Sequence, residues 1–348
     1  MATDRLIGAG ASADPREEQR NWALRPTTID EYVGQEDLIE RLRIAISAAK
    51  KRNEPCEHGL FHGPPGLGKT TLAHLIATEM GSGIHVTSGP VLSKGTDLVA
   101  ALTSLRERDV LFIDEVHRLP PSVEEFVYPA MEDYRIDVPV DSGLSARTVQ
   151  IRCKPFTLIA ATTRAGLISS PLRSRFGITH HLRYYSEAEL VRILKRSCAL
   201  LEVGVEHDKC LQSIASRSRG TPRIANRLLR RIRDYASVKS DGVIRPAIVV
   251  QALKLEGVDD LGLDELDRGY LRVIATTYSG GPVGLEAVAA TMNEDSGTLE
   301  DVVEPFLLQI GFLARTRRGR QLTKAACDHL GIAWRGNDNL FDGDGSKS

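Results

Sequence analysis

The chain has 348 residues, a length that allows two or three domains with their own cores. Its 45 basic and 46 acidic residues nearly cancel, which excludes a global basic field, so any DNA contact must come from a local patch. The 5 cysteines form no C-x-x-C pair, as is typical of reduced thiols. Since neither a long apolar run nor a signal sequence occurs, we predict a cytoplasmic protein without membrane contact.

The N-terminal part of the chain predicts a layered α/β domain. Residues 1–20 are polar and predict a loose N-terminus. The first helix is predicted from Asp37 to Lys51, where apolar residues recur on one face. Strands and helices then alternate up to about residue 184. This alternation predicts a parallel sheet whose ligand lies at the carboxyl ends of the strands.

A glycine-rich octet, Gly63-Pro64-Pro65-Gly66-Leu67-Gly68-Lys69-Thr70, matches the phosphate-loop pattern G-x-x-x-x-G-K-[ST]. Glycines allow several backbone N–H groups to converge on one anion, and the helix that follows directs its positive dipole end at the same phosphates. Lys69 is expected to reach the β- and γ-phosphates, and the Thr70 hydroxyl is expected to bind Mg²⁺. A glycine-proline turn before a helix is the alternative interpretation.

Leu60–His62, just before the phosphate loop, are predicted to end a first buried strand, and two acids follow a second predicted strand. Val110–Ile113 is a continuous apolar run, as expected of a strand buried on both faces, and it ends in Asp114 and Glu115. Asp114 is expected to hold Mg²⁺ through water, and Glu115 to polarise the attacking water. The alternative is two solvated acids at the end of a strand.

A third predicted strand, Thr157–Ala161, leads into Thr162 and Thr163. A polar residue at the tip of a strand between the other two can sense a γ-phosphate and position water. Farther along, Arg173 and Arg175 follow a turn that begins with proline. Arginine is the planar, always-charged donor that suits a transferring phosphoryl group, although such a pair can also form surface salt bridges.

Residues 185–256 show helical spacing and predict a small helical domain. Within it, Thr221 and Pro222 are expected to start a helix whose Arg223 can reach a nucleotide. The remaining arginines between positions 217 and 233 are interpreted as mostly solvated or paired. The acids considered as their partners are Glu202, Glu206, Asp208 or others elsewhere.

Residues 257–335 show two helices around a tight turn and then two short strands around an Arg/Gly tip. Five basic residues and no acid occur from Phe312 to Lys324, with Lys324 included, a patch that can neutralise phosphates, although a solvated hairpin is the alternative. The longer helix is expected to expose acids that repel DNA, so we predict that the wing contacts the DNA backbone without reading sequence. These acids are Glu294, Asp295, Glu300, Asp301 and Glu304. Residues 336–348 predict a disordered tail.

The ordered set of motifs resembles that of the AAA+ ATPases, and the longer runs are similar to those of the RuvB branch-migration motors over roughly residues 4–333. Besides the phosphate loop, these runs are Leu111–Leu119, Tyr128–Tyr134, Ala161–Gly166 and Gly220–Arg227. The resemblance implies an α/β P-loop AAA+ ATPase domain with a parallel sheet over residues 21–184. A small helical AAA+ domain over 185–256 and a C-terminal winged-helix domain over 257–335 are implied to follow.

The resemblance also implies roles for individual residues. Those implied to bind ATP are Leu24, Arg25, Gly66, Gly68, Lys69, Thr70, Thr71, Glu132, Asp133, Tyr134, Arg175, Tyr185 and Arg223. Those implied to be catalytic are Asp114, Glu115, Thr163 as sensor 1 with Thr162 as the second choice, and Arg175 as an arginine finger acting on a neighbouring subunit, with Arg173 as its rival. Thr70 and Asp114 are implied to hold Mg²⁺, and Arg315 and Arg320 to contact DNA.

The implied activity is that of an ATP-driven ring motor, a hexamer that moves duplex DNA at Holliday junctions in recombination and repair. The alternating Ile136, Val138 and Val140, followed by a turn at Asp141–Gly143, predict a hairpin between residues 135 and 157. RuvA is the implied partner, bound by this hairpin, and RuvC is an indirect one. The sequence of the chain differs from the family pattern at Arg152–Pro155, which affects the expected RuvA contact, and at Arg317, which affects the expected shape of the wing.

The alternative function is that of a clamp-loader-like or regulatory AAA+ module with little hydrolysis. The presence of Glu115 and Arg175 favours the motor.

Overall fold

A computed structural model describes residues 22–139 and 148–334 of the chain. The predicted loose N-terminus, the predicted turn at Asp141–Gly143 and the predicted tail lie outside the described residues. The described chain divides into two compact units. Residues 22–193 with 221–223 form what we call the sheet unit, and residues 194–220 with 224–334 form the wing unit.

The sheet unit is organised around a five-stranded sheet in which the strands run parallel. In chain order its strands are β1 (Gly59–His62), β2 (Ile84–Ser88), β3 (Val110–Asp114), β6 (Thr157–Thr162) and β7 (Ile178–His181). Their spatial order is β2-β3-β6-β1-β7. The three strands expected from the sequence are therefore present, and β6 lies between β3 and β1 as predicted.

Helices pack against this sheet because alternate strand residues point to opposite faces. The helices of the sheet unit that precede residue 187 are α1 (Glu36–Arg52), α2 (Lys69–Met80), α3 (Gly95–Thr103), α4 (Pro121–Asp133) and α5 (Ser170–Arg173). On one face, Leu60, Leu111 and Leu158 form a buried core with residues of α3 and α4. Phe61 and Phe112 alternate with these leucines and are fully buried. Helix α2 packs against β2, β3 and β6.

An antiparallel pair stands apart from the main sheet. Strands β4 (Arg135–Pro139) and β5 (Thr148–Arg152) pair with Ile136 opposite Ile151. This pairing agrees with the hairpin predicted from the alternating apolar residues. Ile136 is fully buried, whereas Val149, which lies on the same face of the pair, is 49% exposed, so this face is covered only in part.

The stretch predicted to be a helical domain contains four helices. They are α6 (Glu187–Leu200), α7 (Asp208–Ser216), α8 (Pro222–Lys239) and α9 (Pro246–Leu255). Helix α8 begins at Pro222, the position where proline loses no hydrogen bond, as the sequence predicts. No helix among the described residues is long and apolar enough to cross a membrane.

The C-terminal part of the wing unit is a winged helix, as predicted. Its elements are α10 (Glu265–Thr276), α11 (Leu285–Met292), α12 (Ser296–Thr298), a π-helical turn (Leu299–Val303), α13 (Glu304–Gln309), β8 (Leu313–Thr316), β9 (Gly319–Leu322) and α14 (Lys324–Leu330). Strands β8 and β9 pair antiparallel, and Val283 adds a bridge to Arg320. Tyr270, Leu271 and Leu307 are fully buried in the core beneath this wing.

Three of the arginines between residues 217 and 233, which were expected to be mostly solvated or paired, are buried. They are Arg219, Arg227 and Arg230. The Arg219 guanidinium donates a hydrogen bond to Asp267 and lies 4.6 Å from the centre of the Phe306 ring. Its partner is therefore an acid of the winged helix, which lies far along the chain from the acids considered in the sequence.

The Arg219–Asp267 ion pair joins the helical segment to the winged helix inside the wing unit. Asp267 is fully buried and also accepts the N–H of Asp264 at 2.9 Å. Arg219 Nε donates to the Gly262 carbonyl at 2.9 Å. Since an ion pair with these extra hydrogen bonds is held in one geometry, it fixes the two segments against each other.

We expect Arg219→Ala to destabilise the wing unit by about 3–5 kcal/mol, because it leaves a buried carboxylate without its partner. Asp267→Asn in the same chain should recover part of this loss by removing the unpaired charge. Urea unfolding followed by fluorescence of Trp334, with Trp22 replaced by Phe, measures the effect in the unit that contains Trp334. An unchanged unfolding midpoint in Arg219→Ala would contradict the proposed role of the pair.

Candidate ATPase site and nucleic-acid interface

The phosphate loop, the acid pair and the polar strand tip meet at one edge of the sheet. His62 at the end of β1 lies in register with Thr162 at the end of β6. The Gly63 N–H donates to the Thr162 carbonyl at 3.1 Å, which ties the start of the loop to the neighbouring strand. On the other side of β6, β3 ends at Asp114. Strand order therefore brings together motifs that are separated by up to a hundred residues in sequence.

The glycines of the loop adopt backbone angles that other residues rarely adopt. Gly66 and Gly68 have φ angles of 81° and 98°, in the left-handed region. Gly63 has a φ of 139°, and a Cβ atom there would lie 2.7 Å from the Leu182 carbonyl oxygen. Leu67 is buried between the two glycines and anchors the loop. The loop thus reaches the start of α2 with its glycines placed where the pattern requires them.

Lys69 lies at the first position of α2 and is nearly buried. Its Nζ donates to the carbonyl oxygens of Gly63 and Pro64, both at 2.8 Å. Burial lowers the pKa of Lys69 to about 8, although the nearby Asp114 carboxylate opposes this shift. The amino group is therefore a cation whose charge depends on pH near the physiological range.

The acid pair has a defined local geometry. The Glu115 N–H donates to Asp114 Oδ1 at 2.9 Å. Glu115 has a φ of 47°, and its Oε2 accepts a hydrogen bond from Arg118 Nη1 at 2.9 Å. The strand thus ends in a sharp turn that separates the two carboxylates, because Asp114 continues β3 while Glu115 is turned toward Arg118.

A magnesium ion fits the donors at this edge. Within residues 22–139 and 148–334 no group of three or more His, Cys, Asp and Glu side chains is arranged to hold a metal. Thr70 and Asp114 supply two oxygen donors, and Mg²⁺ in nucleotide sites commonly takes only one or two protein ligands besides phosphate and water. The donor set therefore suits a metal that arrives with its nucleotide.

The two threonines at the end of β6 differ in their environment. Thr162 is fully buried, and its Oγ1 lies 2.9 Å from His117 Nδ1 and accepts the Arg164 N–H at 3.0 Å. Thr163 follows the strand and is exposed. His117, three residues after Asp114, was not assigned a role from the sequence, and it links the turn after β3 to the end of β6.

The N-terminal residues implied to lie against adenine pack on α2. Leu24 is buried, and the Arg25 guanidinium lies 4.2 Å from the centre of the Trp22 ring. The Trp22 ring meets His74 of α2 edge to face, with 4.3 Å between centroids. Because α2 begins with Lys69, these contacts place the segment on the helix that leaves the phosphate loop. The sequence offered no signal for Trp22 or His74.

Two tyrosines lie beside the loop, and only one was expected. Burial raises the pKa of Tyr185 to about 12, so its hydroxyl stays protonated. Its oxygen lies 2.9 Å from the Tyr32 hydroxyl and 3.3 Å from the Leu67 carbonyl, so both are within hydrogen-bond distance of this one O–H group. A Cβ atom at Gly68 would lie 3.1 Å from the Tyr32 hydroxyl. Tyr32 is thus a missed neighbour of the loop, found only through its contacts.

Arg223 is positioned at the loop by the start of α8. Residues 221–223 belong to the sheet unit, and a Cβ atom at Gly66 would lie 3.2 Å from Arg223 Cβ and 3.7 Å from Thr221 Cβ. A glycine at position 66 therefore permits the close approach of this helix start. The structure thus brings Arg223 to the phosphate loop.

The remaining residues implied to bind ATP form a separate group at the end of α4. Glu132 Oε1 lies 3.1 Å from Arg175 Nε, and the Arg175 guanidinium lies 4.4 Å from the centre of the Tyr128 ring. Asp133 pairs with Arg135 at 3.3 Å. These contacts join Glu132 and Asp133 to arginines of their own neighbourhood. The side chain of Tyr134 packs edge to face on Phe156.

The wing arginines share one buried acid. Arg315 and Arg320 are directly opposite each other in the β8–β9 ladder, where like charges are destabilising. Glu304 Oε2 accepts from Arg315 Nε at 2.8 Å, and its Oε1 accepts from Arg320 Nε at 2.9 Å and from the Tyr270 hydroxyl at 2.6 Å. The carboxylate therefore offsets the repulsion between the two arginines and fixes their direction.

Glu304 corrects the expectation of an exposed acid, because it is fully buried. The π-helical turn Leu299–Val303 immediately precedes it. Since a π turn holds more residues than an α turn, it rotates the residues that follow away from the face that a continuous α-helix would give them. Arg315 remains 44% and Arg320 19% exposed, and the tip residues Arg317 and Arg318 are exposed beside them.

Three family models match consecutive parts of the chain. They are the Holliday junction DNA helicase RuvB P-loop domain over residues 24–182, the RuvB AAA lid domain over 185–259 and the RuvB C-terminal winged helix domain over 260–331. Together they extend over most of the described chain.

Whole-chain relatives agree with the family models. The Holliday junction branch migration complex subunit RuvB of Desulfosudis oleivorans is 56% identical over 315 residues, which covers 90% of this chain and 92% of that protein. The subunit of the same name from Kosmotoga olearia is 54% identical over 333 residues, with coverages of 95% and 97%. A solved structure of the Thermotoga maritima RuvB Holliday junction branch migration motor is 51% identical, with a TM-score of 0.81, and covers 89% of this chain and 99% of that one.

The fold and the site together define an AAA+ ATPase. Its parallel sheet carries a phosphate loop, an acid pair and a polar strand tip, and a helical lid and a winged helix follow in the chain. The matches narrow this class further. The chain belongs to the RuvB family of ATP-driven Holliday junction branch-migration motors. The resemblance and the fold class predicted from the sequence are confirmed, and the clamp-loader-like alternative is not supported.

We expect ATP affinity to fall by about tenfold between pH 7 and pH 9, because a lysine with a pKa near 8 loses its charge over this range. An ordinary lysine with a pKa of about 10.4 would stay charged. Titration with a fluorescent ATP analogue measures the effect, and Lys69→Arg, which keeps its charge, serves as the control. Equal affinities at pH 7 and pH 9 would contradict the lowered pKa.

Proposed function

We propose that the chain is a ring motor that uses ATP hydrolysis to move duplex DNA at Holliday junctions, working with RuvA and indirectly with RuvC. The observation that carries this proposal is the meeting of Lys69, Asp114 and Thr162 at one sheet edge in a chain that also carries a cationic wing. Membership of the RuvB family supports this proposal, because RuvB proteins are described as Holliday junction helicases and branch-migration motors with a P-loop domain.

The phosphate loop and the acids carry out the nucleotide chemistry in this proposal. Loop N–H groups, together with Lys69 and Thr71, hold the phosphates, and Gly66 and Gly68 allow the backbone to approach them. Thr70 and Asp114 hold Mg²⁺, which neutralises charge on the phosphate oxygens when it is bound. Glu115 orients and polarises the attacking water once its carboxylate turns from Arg118 toward the nucleotide.

Thr163 is the proposed sensor of the γ-phosphate, with Thr162 as a structural support. The supporting observation is that the Thr162 hydroxyl is buried and engaged with His117, whereas Thr163 is exposed just beyond the strand end. Arg223 acts as the second sensor, since the start of α8 lies against Gly66.

Arg175 is the proposed arginine finger, acting on the nucleotide of a neighbouring subunit. Its rival Arg173 donates to the Ala165 carbonyl and so is engaged in its own turn. Glu132, Asp133 and Tyr134 surround the finger at the end of α4, where they complete the neighbour's nucleotide site. On the other side of the pocket, the residues proposed to contact the nucleotide are Leu24, Arg25 and Tyr185.

The wing is the proposed DNA contact, with Arg315 and Arg320 directed at backbone phosphates. Glu304 holds both arginines while leaving part of each exposed. Phosphate contacts carry no sequence information, which suits a motor that must travel along any sequence.

The assembly proposed for this motor is a hexameric ring in the cytoplasm. All 5 cysteines are free and buried, which agrees with a reducing compartment. The β4–β5 pair, with Val149 exposed, is the proposed RuvA contact. The proposed domain limits are residues 21–184, 185–256 and 257–335.

We expect Glu115→Gln to bind ATP and hold it without turnover, because Asp114 and Thr70 remain while the carboxylate that polarises water is lost. Lys69→Ala should instead lose ATP binding. Nucleotide binding and phosphate release, measured on the same preparations with junction DNA, separate the two effects. Parental turnover in Glu115→Gln would contradict the role given to this residue.

We expect Arg315→Ala and Arg320→Ala to weaken DNA binding similarly on every sequence and to lower the slope of log K against log salt by about 1 each. ATPase activity without DNA should stay at the parental level. Filter binding of duplexes at several salt concentrations measures the slope.

The control for this experiment is a triple variant in which Glu304→Gln accompanies both arginine changes. It removes the buried carboxylate that would otherwise lack partners, so the wing should keep its stability while DNA binding stays weak. Parental DNA affinity in the triple variant would show that these arginines support the fold and do not hold DNA.

A further inference from the structure

Three residues of helix α4 form a stripe on one of its faces. Glu124, Tyr128 and Glu132 are four residues apart, a spacing that places side chains above one another on a helix. Arg175 lies along this stripe, with its guanidinium carbon 4.4 Å from the centre of the Tyr128 ring and its Nε 3.1 Å from Glu132 Oε1. The finger is therefore stacked on a ring and paired with a carboxylate of the same helix.

Glu124, at the N-terminal end of the stripe, contacts Ser169, where the segment that leads to Arg175 begins. The Tyr128 hydroxyl donates to Glu124 Oε1 at 2.5 Å, and the Ser169 hydroxyl contacts the same oxygen. Ser169 Oγ in turn caps α5 by accepting the Leu172 N–H at 3.2 Å. Residues 169–175 are thus attached to α4 at both ends, by Ser169 at one end and Arg175 at the other.

Arg175 is held by its own segment and by α4 while part of its side chain stays exposed. Its Nη1 donates to the Pro171 carbonyl at 2.7 Å, and its Nε lies 3.1 Å from Glu132 Oε1. Nε is buried and makes no hydrogen bond within the described chain, so its contact with Glu132 is an ion pair. The side chain is 24% exposed, so part of it remains open to solvent.

This arrangement reduces the cost of ordering a long side chain. An arginine has several rotatable bonds, and a finger that crosses a subunit interface must hold one geometry relative to a phosphate it does not otherwise touch. Stacking on an aromatic ring and pairing with a carboxylate fix that geometry before the neighbour arrives.

We propose that Tyr128 and Glu132 are positioning residues that set the direction of the Arg175 finger toward the neighbouring subunit's γ-phosphate. The proposal rests on the proposed role of Arg175 as a finger acting between subunits. Neither positioning residue touches the reacting atoms, so both act through Arg175. Glu124 supports them by fixing the Tyr128 hydroxyl and the start of the finger segment.

The test compares Tyr128→Leu, which removes the ring, with Tyr128→Phe, which keeps the ring and loses only the hydroxyl. In the full-length chain with duplex DNA, kcat should fall roughly 10- to 100-fold in Tyr128→Leu, the loss typical of a misplaced catalytic group. The dissociation constant for ATP should stay within about twofold of the parent, since the binding pocket is intact. Tyr128→Phe should keep most of the parental kcat.

A second arm asks whether the loss passes through the finger. In an Arg175→Ala background, Tyr128→Leu should cause no further loss of kcat. An equal loss in both backgrounds would overturn the proposal, because it would show that Tyr128 acts elsewhere. A strong loss in Arg175→Ala combined with parental kcat in Tyr128→Leu would overturn the positioning role alone. Parental kcat in Arg175→Ala would overturn the finger and the positioning role with it.

A third arm asks whether Tyr128→Leu impairs the subunit that supplies Arg175 and leaves the nucleotide pocket of that same subunit intact. Mixing Tyr128→Leu with Lys69→Ala should restore part of the activity, because the second variant offers an intact finger to the intact pocket of the first. No recovery at any ratio would overturn the proposal, since it would show that Tyr128 is needed in its own pocket. If Tyr128→Leu does not fold, as judged by thermal unfolding, Glu132→Gln takes its place in the second and third arms, with a smaller loss of kcat that again vanishes without Arg175.

Discussion

The order of the parallel strands is the constraint on which the ATPase site depends. Because β6 lies between β1 and β3, the carboxyl ends of all three meet at one edge, and the hydrogen bond from Gly63 to the Thr162 carbonyl joins the loop to its neighbour. The loop, the acids and the threonines then need only short turns to face one nucleotide. Local geometry at each strand tip, such as the sharp turn at Glu115, adjusts the direction of single side chains.

Buried ion pairs organise the rest of the molecule in a similar way. Glu304 fixes two arginines that would otherwise repel each other, and Asp267 fixes Arg219 within the same unit. In each case a buried carboxylate fixes the direction of an arginine side chain, because a buried charge without a partner would destabilise the folded protein. The same principle operates more weakly at the partly exposed Arg175, where a ring supplies the second contact.

Features that depend on a short stretch of sequence could be predicted. Features that depend on contacts between residues far apart in the chain could not. The phosphate loop, the strand ending in Asp114 and the wing hairpin follow from spacing and composition within short windows, and all three are present. No role was predicted for Tyr32 or Tyr128, since their contacts with Tyr185 and Arg175 join residues far apart in sequence. Glu304 was expected to be exposed because helical spacing was extended across Leu299–Val303, where a π turn changes the face of the helix. The partner of Arg219 was missed for a related reason, since Asp267 lies in the winged helix, far along the chain.

The most direct test of the central claim is the movement of a synthetic four-way DNA junction by the full-length chain in the presence of RuvA and ATP. The account predicts that the junction separates into two duplexes, that separation requires ATP hydrolysis, and that Lys69→Ala abolishes it. Sustained ATP turnover on the junction with no separated duplex, under conditions where both proteins are bound, would contradict it. Gel separation of the labelled products, followed over time beside phosphate release, gives both quantities in one experiment.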